Sequence, residues 1–223
     1  MDDDAPARAA EVIAGAIGDA VAARGGCLLV LSGGRSPLPL FARLAVDEGI
    51  PWPRVHLLWA DERFVPHDHP DSNFGAARAA LVDRVGVPPE NVHPWPIADD
   101  PERSARLYAD RVRELAGPEP RFDVTLLGLG ADGHTASLFP GSPALGSTAL
   151  TVATAQPETG SRRLSLTFRS LNGSGVVVFL VTGEEKRTAL SRLLAGGGAG
   201  VDELPARGVE ARSRLIVVTD LDV

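Results

Sequence analysis

The sequence predicts an α/β fold in which a mostly parallel sheet carries helices on both faces, with a small antiparallel excursion, in a single domain spanning 1–223. Two observations lead there. Short continuous apolar runs, such as Cys27-Leu28-Leu29-Val30-Leu31 and the stretch Val176 to Val181, have the character of strands buried on both faces. These runs alternate with segments of helical period, and that alternation builds parallel sheets through crossover connections. A length of 223 residues suffices for one large core.

The elements follow in order. Residues 7–24 bring Val12, Ile13, Ala16, Ile17, Ala20 and Val21 onto one helical face, and Gly25-Gly26 ends the run. After the strand at Cys27–Leu31 comes a glycine turn and a helix over Pro37 to Glu48. The cycle repeats with a strand from Val55 to Ala60, an irregular loop to Ser72, and a helix from Asn73 to about Val85. Beyond the proline-rich stretch Pro88 to Pro96, Asp100 and Pro101 form an N-cap and first-turn pair. The helix they open aligns Ala105, Tyr108, Val112 and Leu115 and stops at Gly117-Pro118. Phe122 to Leu127 is the next strand. Ala149 to Ala155 and Leu164 to Phe168 read as strands joined without a long helix, hence the antiparallel excursion. Val176 to Val181 follows, then Thr182-x-x-Glu185 as a capping box for a helix to Leu194. Gly196-Gly197-Gly198 reads as a flexible break and Leu215 to Val218 as a last strand.

Composition narrows the function classes. The net charge of −7 disfavours non-specific attraction to nucleic acid or an anionic membrane. The run Val176 to Val181 is far shorter than the roughly 20 apolar residues a bilayer span requires. The start Met1-Asp2-Asp3-Asp4 lacks the basic and apolar regions of a signal peptide, and the single cysteine, Cys27, suits a reducing compartment, so a cytoplasmic location is expected. Lys186 is the only lysine among 22 cationic side chains.

The stretch LGLGADGHTASLFPG, residues 127–141, contains the spacing G-x-G-x-x-G. A dinucleotide site also needs a helix starting at the glycines and an acidic residue about 20 positions on. Pro140-Gly141 leaves scarcely two turns for the helix, and Ala149 to Ala155 holds neither Asp nor Glu, so this reading fails. What remains is Asp132 and His134 in a glycine-rich turn at the carboxyl end of a buried strand, where open α/β sheets bind ligands, unless His134 only caps a short helix.

Other predicted strands end in equally loaded turns. Ser32-Gly33-Gly34-Arg35-Ser36-Pro37 offers backbone N–H groups, two hydroxyls and a helix start, either an anion cradle without the lysine of a nucleotide-triphosphate loop or a plain glycine turn. Asp61-Glu62-Arg63 places Arg63 where a guanidinium fork can take a phosphate, or forms a plain surface charge cluster. Lys186, in the predicted first turn of a helix, opposes the macrodipole unless an anion is shared there or a neighbouring glutamate pairs with it. Parallel strands put all four turns on one sheet edge. By contrast, His67-Asp68-His69 lacks a third metal partner, Cys27 reads as a small core residue, His56 and His93 as structural, and Trp52, Trp59 and Trp95 as packing.

Taken together, SGGRSP at 32–37, DERFVP at 61–66 continuing through Asp71-Ser72-Asn73, GLGADGHTASLFPG at 128–141 and TGEEK at 182–186 resemble the 6-phosphogluconolactonase family, in order and over nearly the whole chain. The resemblance implies a Rossmann-like fold shared with glucosamine-6-phosphate deaminases, no required cofactor or metal, and hydrolysis of 6-phospho-D-glucono-1,5-lactone in the oxidative pentose phosphate pathway. No obligate protein partner is implied. By position, Ser32, Gly33, Gly34, Arg63 and Lys186 would surround the phosphate and His134 would be the base, oriented by Asp132 or a backbone carbonyl. Arg35, Asp61, Asn73 and Gly130 complete the expected substrate contacts. Ser36 replaces the threonine usual in relatives and keeps the hydroxyl. The deaminases carry a glutamate just before the Pro-Gly that ends the histidine turn, where this chain has Phe139. A protein that senses sugar phosphates without turning them over is the alternative of another class.

Overall fold

The computed structural model describes residues 4–195, 198 and 200–223, so the glycine break lies outside the described residues except for Gly198. Strands β1 (Cys27–Leu31), β2 (Val55–Trp59), β3 (Asp61–Arg63), β4 (Val92–His93), β5 (Val124–Leu127), β6 (Thr151–Ala155), β7 (Arg162–Leu166), β8 (Val176–Val181) and β9 (Arg214–Thr219) form two sheets. The larger has the order β4-β2-β1-β5-β8-β9 and is parallel throughout. The smaller, β3-β7-β6, is antiparallel and is the expected excursion.

Helix α1 (Ala5–Arg24) starts at Asp4, whose side chain accepts from the Ala7 N–H, and ends at Gly25 in the left-handed region. Of its predicted face, Ile13, Ala16 and Ile17 are buried, while Val12, Ala20 and Val21 are only partly covered. The remaining helices are α2 (Leu38–Leu44), α3 (Asn73–Ala80), α4 (Pro101–Ala116), α5 (Phe168–Leu171) and α6 (Arg187–Leu194). α4 lies against β6 and β7. Its Asp100 cap accepts from Arg103 N–H at 2.7 Å, and Tyr108 and Val112 are fully buried.

Several boundaries differ from the sequence reading for identifiable reasons. β2 stops at Trp59 because Ala60 bonds in two directions: its N–H donates to Leu31 and its carbonyl accepts from Leu166 N–H of the second sheet. Asp61-Glu62-Arg63 then pairs with Ser165-Leu164-Arg163 as a strand, hidden in the sequence by its charge. The predicted helix at 73–85 breaks at Leu81 and continues as a 3-10 turn, Val82–Arg84. β4 escapes sequence reading because it is two residues long and lies between prolines. Strand β7 ends at Leu166, and Phe168 already belongs to α5.

The capping box at Thr182 and Glu185 does not form. Gly183 has φ +99°, a 3-10 turn covers Glu184–Lys186, and no side chain caps α6. A Cβ at Gly183 would lie 2.6 Å from Glu185 Oε2, so the carboxylate folds over the glycine instead of reaching back to the cap. Lys186 therefore stands at the cap position of α6 and not within its first turn.

The three tryptophans are buried, as expected of packing residues. Trp95 stacks on Tyr108 with centroids 3.9 Å apart, and Trp95 Nε1 and Tyr108 Oη tie to the Trp59 backbone at 2.9 and 2.8 Å. Burial pushes the Cys27 thiol up to about 12, which suits an inert core residue.

His56 Nδ1 and His93 Nε2 meet at 3.1 Å with rings parallel within 6°. Burial, then His56 and Arg111, push His93 down to about 4. Because its folded pKa lies below the unfolded value, the stability it contributes is present above about pH 6.5 and is lost as pH falls toward 4. We expect the thermal midpoint to drop between pH 7 and 4.5 by an amount worth on the order of 2–3 kcal/mol from His93. Calorimetry of His93→Asn should show a shallower acid-side slope; an unchanged slope would remove the histidine pair as its cause.

Candidate active site

The segments after five of the six parallel strands, β1, β2, β5, β8 and β9, line one cavity of about 730 Å³. Ser32, Gly33, Gly34 and Arg35 come from the turn after β1, and Asp61 and Arg63 from the crossover after β2. Gly130 and His134 follow β5, and Lys186 follows β8. Asn73, the first residue of α3, completes the predicted set at the cavity wall. Asp132 lies next to His134 without itself lining the cavity.

His134 Nδ1 lies 2.6 Å from Asp132 Oδ1, which also accepts the His134 backbone N–H at 3.1 Å. Partial burial disfavours charge on Asp132, but the histidine's ring and backbone hydrogen bonds outweigh it and hold the carboxyl below its ordinary range. An ionised carboxylate only accepts, so Nδ1 is the donor and Nε2 of a neutral ring is the basic nitrogen. Of the two orienting groups the sequence left open, the structure forms the bond with Asp132. Phe139, buried, packs on the imidazole with centroids 4.9 Å apart.

Glycine is a steric requirement at two points. A Cβ on Gly130 would overlap the His134 ring and lie 2.5 Å from Asp132 Oδ1, and one on Gly33 would overlap the Asn73 amide. Asn73 Nδ2 donates to the Asp61 carbonyl at 3.0 Å and contacts its carboxylate at 3.3 Å, while Asp61 Oδ2 accepts the Ser137 hydroxyl at 2.7 Å. The site floor is thus one network from three separate segments. Ala136, in the same turn, has φ +48°, strain worth about 1–3 kcal/mol that persists only where neighbours hold it. Thr135 Oγ1 donating to Gly128 and Ser165 Oγ accepting from Ser137 N–H are two of those restraints.

Arg63 donates to the Asp71 carbonyl at 2.6 Å and lines the cavity. Arg163 stands directly across the β3–β7 pair from it. Burial, then the neighbouring Arg63, disfavour the Arg163 charge, against a partial offset from the Asp61, Asp71 and Glu62 carboxylates. Glu184 pairs with Arg187, not with Lys186. Among the described residues Lys186 and Arg35 have no carboxylate partner.

Sequence reading missed several participants. Glu62 is fully buried: Oε1 accepts from Arg63 and Asn73 N–H, and Oε2 from Phe74 N–H and the Ser72 hydroxyl. Burial pushes its pKa up against those hydrogen bonds. Ser137 gave no sequence signal of its own. Asp220 lines the cavity and accepts from Gly183 N–H at 3.1 Å, and its position after the last parallel strand could have revealed it. His67 Nε2 bonds the Trp95 carbonyl at 2.8 Å and packs edge-on to Phe74, while His69 Nδ1 accepts from Asp71 N–H.

Fold and cavity together define an α/β protein with a cavity at the carboxyl edge of its sheet lined by His134, Arg35, Arg63 and Lys186. Residues 2–218 match the family described as "Glucosamine-6-phosphate isomerases/6-phosphogluconolactonase", and the chain belongs to it. It is 43% identical over 208 residues to a 6-phosphogluconolactonase of Synechocystis sp., covering 90% of this chain and 85% of that one. It is 40% identical to the Mycobacterium tuberculosis 6-phosphogluconolactonase, covering 97% and 91%. The solved 6-phosphogluconolactonase of Thermotoga maritima superposes with TM-score 0.88 at 31% identity over 98% and 96% of the two chains. A monomeric glucosamine-6-phosphate deaminase shares the fold at TM-score 0.84 with 20% identity, covering 98% and 94%.

Proposed function

We propose that the chain hydrolyses 6-phospho-D-glucono-1,5-lactone to 6-phospho-D-gluconate, with His134 as general base. The observation that carries this reading is the Asp132–His134 pair at a cavity wall that also presents Arg63, Lys186 and the loop from Ser32. The lactonase names of relatives at about 40% identity support the same substrate.

In this reading the phosphate sits among Arg63, Lys186 and the Ser32-Gly33-Gly34 backbone, with Arg35 at the rim. Asp61, Asn73 and Gly130 form the wall along the sugar ring. Nε2 of neutral His134 takes a proton from water as its oxygen bonds C1. The tetrahedral adduct then breaks the bond from C1 to the ring oxygen, and Nε2 returns the proton to that oxygen. The product acid ionises at neutral pH, so turnover releases one proton to solvent. Asp132 fixes the tautomer and stabilises the transient imidazolium. The lactone is already activated, so no covalent nucleophile is needed. Phe139 favours this over amino-sugar isomerisation: an aromatic ring against the imidazole cannot shuttle the protons of ring opening. We place the protein in the cytoplasm, acting on a small molecule without cofactor, metal or obligate partner; among the described residues no helix is long and apolar enough to cross a membrane.

The test is acid release from freshly made lactone above its spontaneous hydrolysis, with glucosamine 6-phosphate as a parallel substrate. Turnover of the amino sugar alone would replace the reading, and turnover of neither would make the protein a sugar-phosphate sensor. Arg63→Ala should raise KM about 10- to 100-fold, the loss of one or two charge-assisted bonds, with kcat within a few-fold. A fall in kcat at unchanged KM would move Arg63 from phosphate binding to the chemistry.

A further inference from the structure

The turn that carries His134 is held from behind by a segment some 70 residues further along the chain. The Gly133 carbonyl accepts from Ala206 N–H at 3.0 Å, and Gly141 N–H donates to the Asp202 carbonyl at 2.9 Å. Between these two bonds, Leu204 is completely buried. A Cβ at Gly133 would overlap Leu204 Cδ1, so the leucine side chain sits directly against the glycine that precedes the histidine, at φ +92°. The restraints from the other side reach Thr135 and Ser137 through Gly128, Asp61 and Ser165. Within the turn, Gly133 N–H donates to the Gly130 carbonyl at 2.9 Å, whereas the bond to its carbonyl and the packing on its Cα come from the rear segment; Ala136, three residues on, is held at φ +48°.

We propose that Leu204, with the Asp202 and Ala206 backbone, is a positioning element that sets the height of the His134 ring over the cavity. It is not among the residues lining the cavity and acts through Gly133. Truncating Leu204 lets the Gly133 peptide sink into the vacated space, which tilts the following residue away from the reacting carbon. A misplacement of about 1 Å remote from the chemistry can cost on the order of a hundredfold in rate. The proposal rests on His134 being the base, and the experiment separates the two.

Full-length wild type, Leu204→Ala, Leu204→Met, His134→Ala and Leu81→Ala would be assayed on the lactone for kcat and KM, and melted in parallel. Leu81 is equally buried, at the end of α3 away from Asn73, and controls for destabilisation alone. Leu204→Ala should lower kcat about 10- to 100-fold with KM within about twofold. Leu204→Met, which refills the space, should recover most of it, and Leu81→Ala should lose thermal stability yet keep kcat. Should Leu204→Ala not fold, Leu204→Val takes its place with the same split expected. Wild-type kcat in the Leu204 variants, or an equal loss in Leu81→Ala, overturns the positioning role. Wild-type kcat in His134→Ala would instead sink the catalytic reading on which it rests.

Discussion

His134→Ala should lower kcat for lactone hydrolysis by about 10²–10⁴ while KM stays within a few-fold. The magnitude is that of a positioned general base and acid, and the selectivity follows from where the binding groups are. The cations come from the β2 crossover and the turn after β8, and the glycine cradle from the turn after β1, none of which depends on the imidazole. Residual activity above the spontaneous rate should survive, because the phosphate contacts still place the substrate against a polar wall. Asp132→Asn is expected to cause a smaller fall. The amide can still bond Nδ1, but it also offers its N–H₂ to that nitrogen and so no longer selects the tautomer with a free Nε2. A variant lacking His134 that keeps its kcat while KM rises steeply would make the histidine a binding residue and leave the chain without its proposed base.

Much of this site was legible because parallel topology turns sequence order into spatial convergence. Once Cys27–Leu31, Val55–Ala60, Phe122–Leu127 and Val176–Val181 read as buried parallel strands, the turns after them share one edge, and their residues do line one cavity. The Asp132–His134 bond is equally local, two residues apart in a tight turn. What was not legible depends on contacts between distant segments. Glu62 looked like part of a surface charge triplet and is the most buried carboxylate of the site, because a three-residue strand turned it inward. Ser137 matters through Asp61, 76 residues earlier, and Ser165, 28 residues later. The failure of the capping box at Thr182 is a case of a local rule losing to backbone geometry: a left-handed Gly183 moved Glu185 out of reach. That displacement leaves Lys186 at the cap of α6 on the cavity wall and its neighbours Glu184 and Arg187 paired with each other.

Replacing Glu62 should give the largest stability loss of any residue at the site. Its two oxygens accept from three backbone N–H groups and one hydroxyl at a fully buried position. Two of those N–H groups, Asn73 and Phe74, are at the N-terminus of α3, where a carboxylate also meets the positive end of the helix. Glu62→Ala leaves all four donors without an acceptor, and we expect a loss on the order of 3 kcal/mol or more, read from urea unfolding. Glu62→Gln distinguishes hydrogen-bond accounting from simple volume. The amide keeps one oxygen, so its N–H₂ must face one pair of donors. At the Oε2 position it meets the Ser72 hydroxyl, which can rotate to accept, and orphans only Phe74 N–H; at Oε1 it orphans two backbone N–H groups. The first arrangement should prevail, with a loss of about 1–3 kcal/mol. Because Arg63 and Asn73 are both held through Glu62, KM should rise in Glu62→Gln even where the protein is fully folded, with kcat less affected. Equal stability of Glu62→Gln and wild type would mean that the folded protein already carries a protonated Glu62, the outcome toward which burial pushes it.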